Sequence, residues 1–305
     1  MPPYTLKQLR YYVAVVETGS FAEAARQVNI SQPSVSTAIK NLEDSFGFQL
    51  LIRHHASGAS PTPAGNRFYG HAKHLLRSAR DFEQNAQGES GLVTGQIELG
   101  CFITFAPLYL PRLLAGFHEL YPGITINVNE GWQTSLMDGL RGGRFDLAMM
   151  YDFDLDSTFD SVELMCNLKP EAVLAKSHHL ANRESVSLQM LVAEPFVLLD
   201  VPPSGEYFRG LFAALGLTPN IAYSSPTLEL VRGLVGQGLG YSVLATRPAS
   251  AVTVDGNEVV TVPLSDPVRP SVLVLAWLRS VRCSRPVKAF TEYCQKVFQT
   301  IPLGR

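Results

Sequence analysis

The amino-acid sequence predicts an α/β protein with an all-α helix-turn-helix at its N-terminus, a long linker helix, and a larger C-terminal segment. Capped helical patterns occupy residues 5–46, and a heptad-spaced helical pattern follows the turn-rich stretch 57–63. From Leu92 onward, short apolar strands alternate with helical patterns, which is typical of βα units. The length of 305 residues suits about two folding units.

The charge balance excludes a domain that is basic throughout, the simplest signature of nucleic-acid binding. The chain carries 25 Lys and Arg against 27 Asp and Glu. Residues 1–90 hold nine basic against seven acidic residues, so +2, which leaves 16 against 20, so −4, for the remainder. The asymmetry has the sign expected for DNA binding but does not decide the function alone.

Cysteine usage and hydropathy predict the compartment. Four scattered cysteines form no CxxC pair and no metal-ligand spacing with histidine, as expected of a reduced, cytoplasmic protein without a structural metal. The apolar run Tyr11–Val16 is too short for a signal peptide, and no run approaches the ~18 residues of a membrane helix. We therefore expect no membrane partner.

Three short helices are predicted at the N-terminus. Thr5–Gln8 and Ser20–Glu23 have the form of capping boxes, and Gly19 is a natural stop for the first helix. Asn29 lies where a turn between two helices needs a residue that tolerates positive φ. Ser31 can cap a third helix, and the spacing predicts a helix-turn-helix.

An ordinary three-helix bundle could show the same caps as a DNA-binding motif. The outer face of the third helix distinguishes the two interpretations. That face lacks acidic residues until Glu43 and offers amides and hydroxyls for base edges with one cation for phosphate. We expect double-stranded DNA to contact Ser31, Gln32, Pro33, Ser34, Ser36, Thr37 and Lys40.

The linker helix is predicted from Thr62-Pro63, an N-cap followed by a proline at the first helical position. One alternative is an amphipathic helix packed on its own domain. Its length of about 25 residues and its basic side (Arg67, Lys73, Arg77 and Arg80) favour a dimerising coiled coil. The predicted dimerisation seam has heptad spacing and comprises Phe68, Ala72, Leu75, Ala79 and Phe82.

The C-terminal segment is predicted to hold a largely parallel sheet, because strands and helices alternate. The predicted strands are Gln96–Gly100, Thr125–Glu130, Phe145–Tyr151, Glu171–Ala175, Phe196–Asp200 and Gly240–Leu244. Helices are predicted at Pro107–Leu120, Ser135–Arg141, Tyr207–Leu215 and Leu228–Gly236.

Residues 5–65 are similar to the DNA-binding domain of the LysR-type transcriptional regulators. The resemblance rests on Phe21–Ala25, Ser31–Ser36, Ile39, Leu42-Glu43, Gly47, Leu50-Leu51, Arg53 and Thr62–Gly65. It implies that Gln32, Pro33, Ser36 and Thr37 enter the major groove and that Arg53 begins a wing along the DNA backbone or minor groove. The family often has basic residues at the positions of Thr37 and Ala56, and this wing is one residue longer, which leaves His54 and His55 as phosphate neighbours.

The rest of the chain resembles the effector domain of the same family. The matching segments are Gly95–Gly100, Leu110–Leu114, Phe117, Tyr121–Ile124, Asp146–Ala148, Leu234-Val235 and Gly238–Gly240. They imply a bilobed, Rossmann-like domain of the kind found in periplasmic binding proteins. The expected division is a winged helix-turn-helix at 1–61, a linker at 62–87, a hinge at 88–91 and an effector domain at 92–305. Lobe I would span 92–162 and 267–305, and lobe II 163–266.

A cleft between such lobes collects helix N-termini, whose free amides favour anions. The expected effector is a small organic acid, although each single hydroxyl could serve only as a helix cap. The expected contact residues are Phe102, Thr104, Trp132, Thr134, Pro202, Pro203, Ser204 and Ser225.

Two further motifs have ordinary explanations. Gly236–Gly240 has GxG spacing but follows a helix and precedes a strand, so it indicates helix termination rather than dinucleotide binding. Asp152, Asp154, Asp156, Asp160 and Glu163 have the spacing of a calcium loop, but Ser157 replaces the turn glycine, so an acidic solvated loop is preferred.

Catalysis is the weaker alternative, since no GxSxG, HExxH or P-loop occurs and we predict no cofactor or catalytic residue. A scaffold that binds DNA without an effector is another alternative. The favoured hypothesis is a ligand-responsive regulator that binds inverted-repeat promoter sites as a dimer of dimers and contacts RNA polymerase.

Overall fold

The computed structural model describes residues 3–54, 58–86, 93–246, 248 and 250–300 of the chain. Its N-terminal domain contains three helices and a two-stranded wing: α1 (Leu6–Thr18), α2 (Phe21–Gln27), α3 (Gln32–Phe46), β1 (Leu51–Arg53) and β2 (Ala59–Pro61). The predicted hinge at 88–91 lies outside the described residues. The helix-turn-helix and the wing are confirmed.

Local signals at the helix ends explain these boundaries. Thr5 and Gln8 form the predicted capping box, and Gly19 ends α1 in the left-handed region at φ 65°. Asn29 adopts φ 57° in the turn between α2 and α3, as predicted. The second box forms only in part: Ser20 Oγ accepts the Glu23 amide at 3.4 Å, while the Glu23 carboxylate pairs with Arg26.

The linker helix α4 (Pro63–Ala86) begins as predicted, with Thr62 Oγ1 accepting the Gly65 amide at 2.9 Å. The first half of the predicted dimerisation seam lies inside the chain's own domain. The Phe68 ring packs against Tyr12 and Phe46, and Ala72 is buried in the same core. Phe68 and Ala72 therefore contact the chain's own domain, as the alternative of an amphipathic helix packed on that domain predicts.

The second half of α4 retains an exposed apolar edge. Leu75 and Phe82 are exposed, Phe82 at 74%, and Ala79 is half-buried.

Lobe I is built on a five-stranded sheet in the order β4-β3-β5-β12-β6. Its strands are β3 (Gly95–Phe102), β4 (Ile124–Gly131), β5 (Leu147–Tyr151), β6 (Phe159–Leu168) and β12 (Ser271–Leu278). Its helices are α5 (Ala106–Leu120), α6 (Gln133–Arg141) and α10 (Arg285–Thr300). Strand β3 is parallel to β4 and β5, which places the carboxyl ends of all three at one edge.

Lobe II contains two small sheets. One is antiparallel, with β7 (Glu171–Ala175) between β10 (Ser242–Leu244) and β11 (Val259–Pro263). The other pairs β8 (Pro195–Leu199) with β9 (Asn220–Ser225) in parallel. Its helices are α7 (Leu188–Leu191), α8 (Ser204–Ala213) and α9 (Leu228–Gly236), and α9 ends at the predicted glycine-rich turn.

The sheets are mixed, which corrects the expectation of a largely parallel arrangement. Strand β12 runs antiparallel to both β5 and β6, because the chain returns from lobe II without a crossover helix. Strand β6 stays paired with β12 as far as Leu168, so the chain leaves lobe I later than the predicted crossing at Val162.

The linker helix packs directly on lobe I. At Gly70 the two backbones approach so closely that an added Cβ would lie 1.3 Å from the Gly142 carbonyl oxygen. Two turns further, Arg77 is buried with Nη1 2.8 Å from Asp146 Oδ2 and Nη2 3.4 Å from the Gly143 carbonyl oxygen. Arg77 was expected on the basic, exposed side of α4, but lobe I covers that part of the helix.

None of the helices in the described parts of the chain combines the length and apolar character that crossing a bilayer requires.

Candidate DNA interface and effector site

The outward face of α3 presents uncharged polar groups and one lysine. Val35, Ile39 and Leu42 point into the domain core, because they repeat at helical spacing. Within residues 32–40, the exposed side chains are those of Gln32, Pro33, Ser34, Thr37 and Lys40. Ser31 caps the helix by accepting the Ser34 amide at 3.3 Å, so its hydroxyl already serves the fold.

The wing is tied to α3 by Arg53. Its guanidinium lies 4.8 Å from the centroid of the Phe21 ring, and Nη1 donates to the half-buried Ser36 Oγ at 3.1 Å. His54 Nε2 lies 2.8 Å from Ser60 Oγ on the opposite strand. Arg53 therefore positions the wing and remains exposed enough for a phosphate contact. His55 and Ala56 lie outside the described residues.

The effector-domain residues of interest gather where the carboxyl end of β5 meets lobe II. Thr104 is 3% exposed, and its Oγ1 makes no hydrogen bond of normal geometry within the described residues. Burial raises the pKa of Tyr151, and the nearby hydroxyls of Thr104 and Ser204 act in the opposite direction. Since Thr104 belongs to lobe I and Ser204 begins α8 of lobe II, this cluster joins the two lobes.

Gln133 belongs to the same cluster and was missed by sequence reasoning. Its Nε2 donates to the carbonyl oxygens of Tyr151 and Phe153, both at 2.8 Å, and its buried Oε1 has no partner among the described residues. The available signal was helical phase: Gln133 precedes Leu136, Met137 and Leu140 at the spacing of one buried face. Asp152 Oδ1, on the next residue of this strand end, is also buried and unpartnered.

Several predicted contact residues have other roles. Phe102 is completely buried and packs on Tyr151, with ring centroids 5.2 Å apart, so it supports the cleft rather than lining it. Trp132 is 47% exposed, and Thr134 lies on the exposed side of α6. The Ser225 hydroxyl accepts the Thr227 amide at 3.0 Å, which is a capping role.

The turn before α8 carries the two predicted prolines. Pro202 is exposed, Pro203 is half-buried, and the peptide bond between them is cis. Close by, the Phe153 and Tyr207 rings meet with centroids 5.4 Å apart, and the Tyr207 hydroxyl donates to the Arg269 carbonyl. This ring contact joins lobe I to lobe II, and neither residue was among the predicted contact residues.

Two helix starts near the cleft, those of α5 and α8, lack side-chain caps. The starts of α6 and α9 differ, because Ser135 Oγ accepts the Trp132 amide at 3.1 Å and Ser225 Oγ accepts the Thr227 amide at 3.0 Å. The three N-terminal helices all have such caps, at Thr5, Ser20 and Ser31. Uncapped helix N-termini leave amides and a positive dipole end available to a bound anion.

The acidic loop does not assemble a calcium site. Asp156 pairs with Arg141 at 2.8 Å, and Asp160 lies on β6 and pairs with Arg279 at 2.8 Å. Bonds from Thr158, followed by those from Arg141, hold the pKa of Asp156 below its usual value. A strand replaces the second half of the loop, and arginines pair with two of its carboxylates, so its geometry differs from that of a calcium loop.

Two family descriptions match the chain. Residues 6–66 match "Bacterial regulatory helix-turn-helix protein, lysR family", and residues 90–299 match "LysR substrate binding domain". The crystal structure of HinK, a LysR family transcriptional regulator from Pseudomonas aeruginosa, is 51% identical, covers 97% of this chain and 98% of its own, and superposes with a TM-score of 0.66.

More distant relatives span the same length. The HTH-type transcriptional regulator YvbU of Bacillus subtilis, described as uncharacterized, is 28% identical over 96% of this chain and 99% of its own. A full-length OxyR variant from Pseudomonas aeruginosa is 24% identical over 95% and 97% of the two chains, and its TM-score of 0.75 shows the shared fold.

Proposed function

Because this chain belongs to the LysR family of bacterial transcriptional regulators, we propose that its α3 reads an inverted-repeat promoter site under the control of a small organic acid. Membership of the family gives it a DNA-binding domain and an effector-binding domain. The observation that carries the finer proposal is the contrast between capped helices in the DNA-binding domain and the uncapped starts of α5 and α8 near the cleft. We also propose a functional division into a DNA-binding domain at 1–61, a linker helix at 62–87, a hinge at 88–91 and an effector domain at 92–305.

Base reading is assigned to the exposed start of α3. Gln32 stands at its first turn, where an amide can bond an adenine edge, while Lys40 and Arg53 supply charge for phosphates. We expect Gln32→Ala to cost about 1–3 kcal/mol at preferred sites and to relax base choice at one position of each half-site. Binding-site selection followed by sequencing measures this change.

The matched control is Gln27→Ala, because Gln27 is an exposed glutamine on α2 beside the groove between α1 and α4. It should keep the wild-type site preference. Arg53→Ala, in contrast, should weaken all sites alike and flatten the salt dependence. Unchanged base preference in Gln32→Ala would remove α3 from its reading role.

The chemistry of the cleft favours an acid that also carries hydrogen-bond donors. Uncapped amides and the Thr104 hydroxyl suit a carboxylate, whereas the unpartnered oxygens of Gln133 and Asp152 are acceptors. A ligand with both groups would satisfy buried atoms that otherwise cost free energy. Closure of lobe II over it would change the relative placement of the DNA-binding domains.

We expect Thr104→Val to weaken effector binding by about 10–100-fold, since a hydrogen bond to a charged group contributes about 1.5–3 kcal/mol. A thermal-shift screen of small aliphatic and aromatic carboxylic acids would supply the ligand, and calorimetry would compare the variants. Thr134→Val is the control because Thr134 is exposed on α6. Equal affinity in both variants, or no acid that binds, would contradict the proposal.

Oligomerisation is assigned to the exposed part of α4. Within the predicted seam, Leu75, Ala79 and Phe82 lie beyond the part that packs in the N-terminal core, and the exposed Phe82 ring is suited to contact a second copy of the helix. A dimer of dimers would bring four DNA-binding domains to one promoter, where contact with RNA polymerase is proposed.

A further inference from the structure

Two adjacent histidines and a glutamate meet on lobe II, away from the effector cleft. His178 and His179 follow β7, and Glu194 precedes β8. His178 Nε2 lies 2.7 Å from Glu194 Oε2, and His179 Nε2 lies 3.6 Å from Glu194 Oε1. One ligand atom from each residue falls within 4.8 Å of the others, and no second group of this kind occurs in the described parts of the chain.

Backbone hydrogen bonds hold the three residues in place. The His178 amide donates to the Ala175 carbonyl at 2.9 Å, and the Glu194 amide donates to the Leu191 carbonyl at 2.9 Å. The two imidazole rings stack with centroids 4.5 Å apart and planes inclined by 25°. The three residues are therefore already held close together, which lowers the cost of ordering ligands around an ion.

We propose that His178, His179 and Glu194 bind a divalent transition-metal ion, of which Zn²⁺ is the representative probe. Two imidazoles and one carboxylate are the ligands of open Zn²⁺ sites and leave a position for water, whereas Mg²⁺ and Ca²⁺ prefer oxygen ligands alone. The ion would cross-link the turn after β7 to the loop before β8. This site does not depend on the proposed effector.

Coordination has a defined proton requirement at His178. The Leu180 amide donates to His178 Nδ1 at 3.2 Å, so the neutral ring carries its proton on Nε2 and donates it to Glu194. An ion bound at Nε2 moves that proton to Nδ1, and the ring turns away from the Leu180 amide. His179, which is 69% exposed on its side chain, needs no such adjustment.

The test is a Zn²⁺ titration of the full-length chain without a histidine tag, by calorimetry. We expect one ion per chain at the site, and an affinity at least about tenfold lower in His179→Ala and in Glu194→Gln. His118→Ala is the matched control, because His118 is an exposed histidine on α5, and it should bind like wild type. Co²⁺ offers a second readout, since its visible absorption reports coordination by the protein.

The expected outcome includes a rise in melting temperature with Zn²⁺ that His179→Ala reduces and His118→Ala retains. Unchanged Zn²⁺ affinity in a folded His179→Ala chain would overturn the proposal, as would the absence of one-to-one binding by wild type. Since the His179 side chain is 69% exposed, the variant should fold normally.

Discussion

Replacing Arg77 with alanine should lower the free energy of unfolding by about 3–5 kcal/mol, the usual cost of removing one partner from a buried ion pair. Asp146 would remain buried at the junction of α4 and lobe I, still accepting the Glu98 amide at 2.8 Å but without the guanidinium that pairs with its charge. Calorimetric or fluorescence-detected unfolding of the full chain measures the loss. Arg67→Ala, an exposed arginine on the same helix, is the control and should change stability little.

The loss of stability in Arg77→Ala should also depend on pH. Burial already raises the pKa of Asp146, and the neighbouring Arg77 is the main influence that lowers it. Removing the guanidinium therefore raises that pKa further. A carboxyl whose folded pKa exceeds its unfolded value destabilises the protein increasingly as pH rises above the unfolded value. The deficit of Arg77→Ala should therefore shrink toward pH 5. Asp146→Asn in the Arg77→Ala background should recover stability at neutral pH, and no recovery would show that the ion pair is not the cause.

Replacing Gly65 with alanine should destabilise the DNA-binding domain by about 3 kcal/mol. The added Cβ would lie 2.0 Å from the Leu50 carbonyl oxygen and 3.0 Å from the Tyr12 hydroxyl. That hydroxyl donates to the Gly65 carbonyl at 2.8 Å, so the strain would reach the contact between α1 and α4. Unfolding monitored with DNA-binding assays measures the effect, and half-site binding should fall with stability.

Gly210 provides the matched glycine for this test. It lies on α8 with no atom within 4 Å of an added Cβ, so Gly210→Ala should be neutral or stabilise by up to about 1 kcal/mol. If both alanine variants behaved alike, close backbone packing at Gly65 would not be the reason for the glycine.

Features set by neighbouring residues were predictable from the sequence. The Thr5 cap, the Gly19 stop and the Asn29 turn each depend on a few consecutive residues, and all three have the predicted geometry. Strand β12 was not predicted, because its pairing with β5 and β6 depends on residues more than a hundred positions away. Local patterns do not encode such a return of the chain.

The site residues also differ in whether the signal that identifies them is local in the sequence. Thr104 and Ser204 were found as polar residues at strand-to-helix junctions, and both are buried. Gln133 was overlooked because its role appears only when the burial of α6 is known. Arg77 was misplaced for a related reason: amphipathic spacing marks a polar face but does not show that another domain will cover it.

The close contact between Gly70 and the turn at Gly142 limits how this protein can be recombined with its relatives. A chimaera that joins residues 1–86 to a foreign effector domain would need a glycine-like turn opposite Gly70 and a carboxylate opposite Arg77. Without both, the junction would combine a steric clash with an unpaired buried charge. Because α4 also packs on the DNA-binding domain through Gly65 and Ala72, a junction at either end of the helix would have to preserve one of these two sets of contacts.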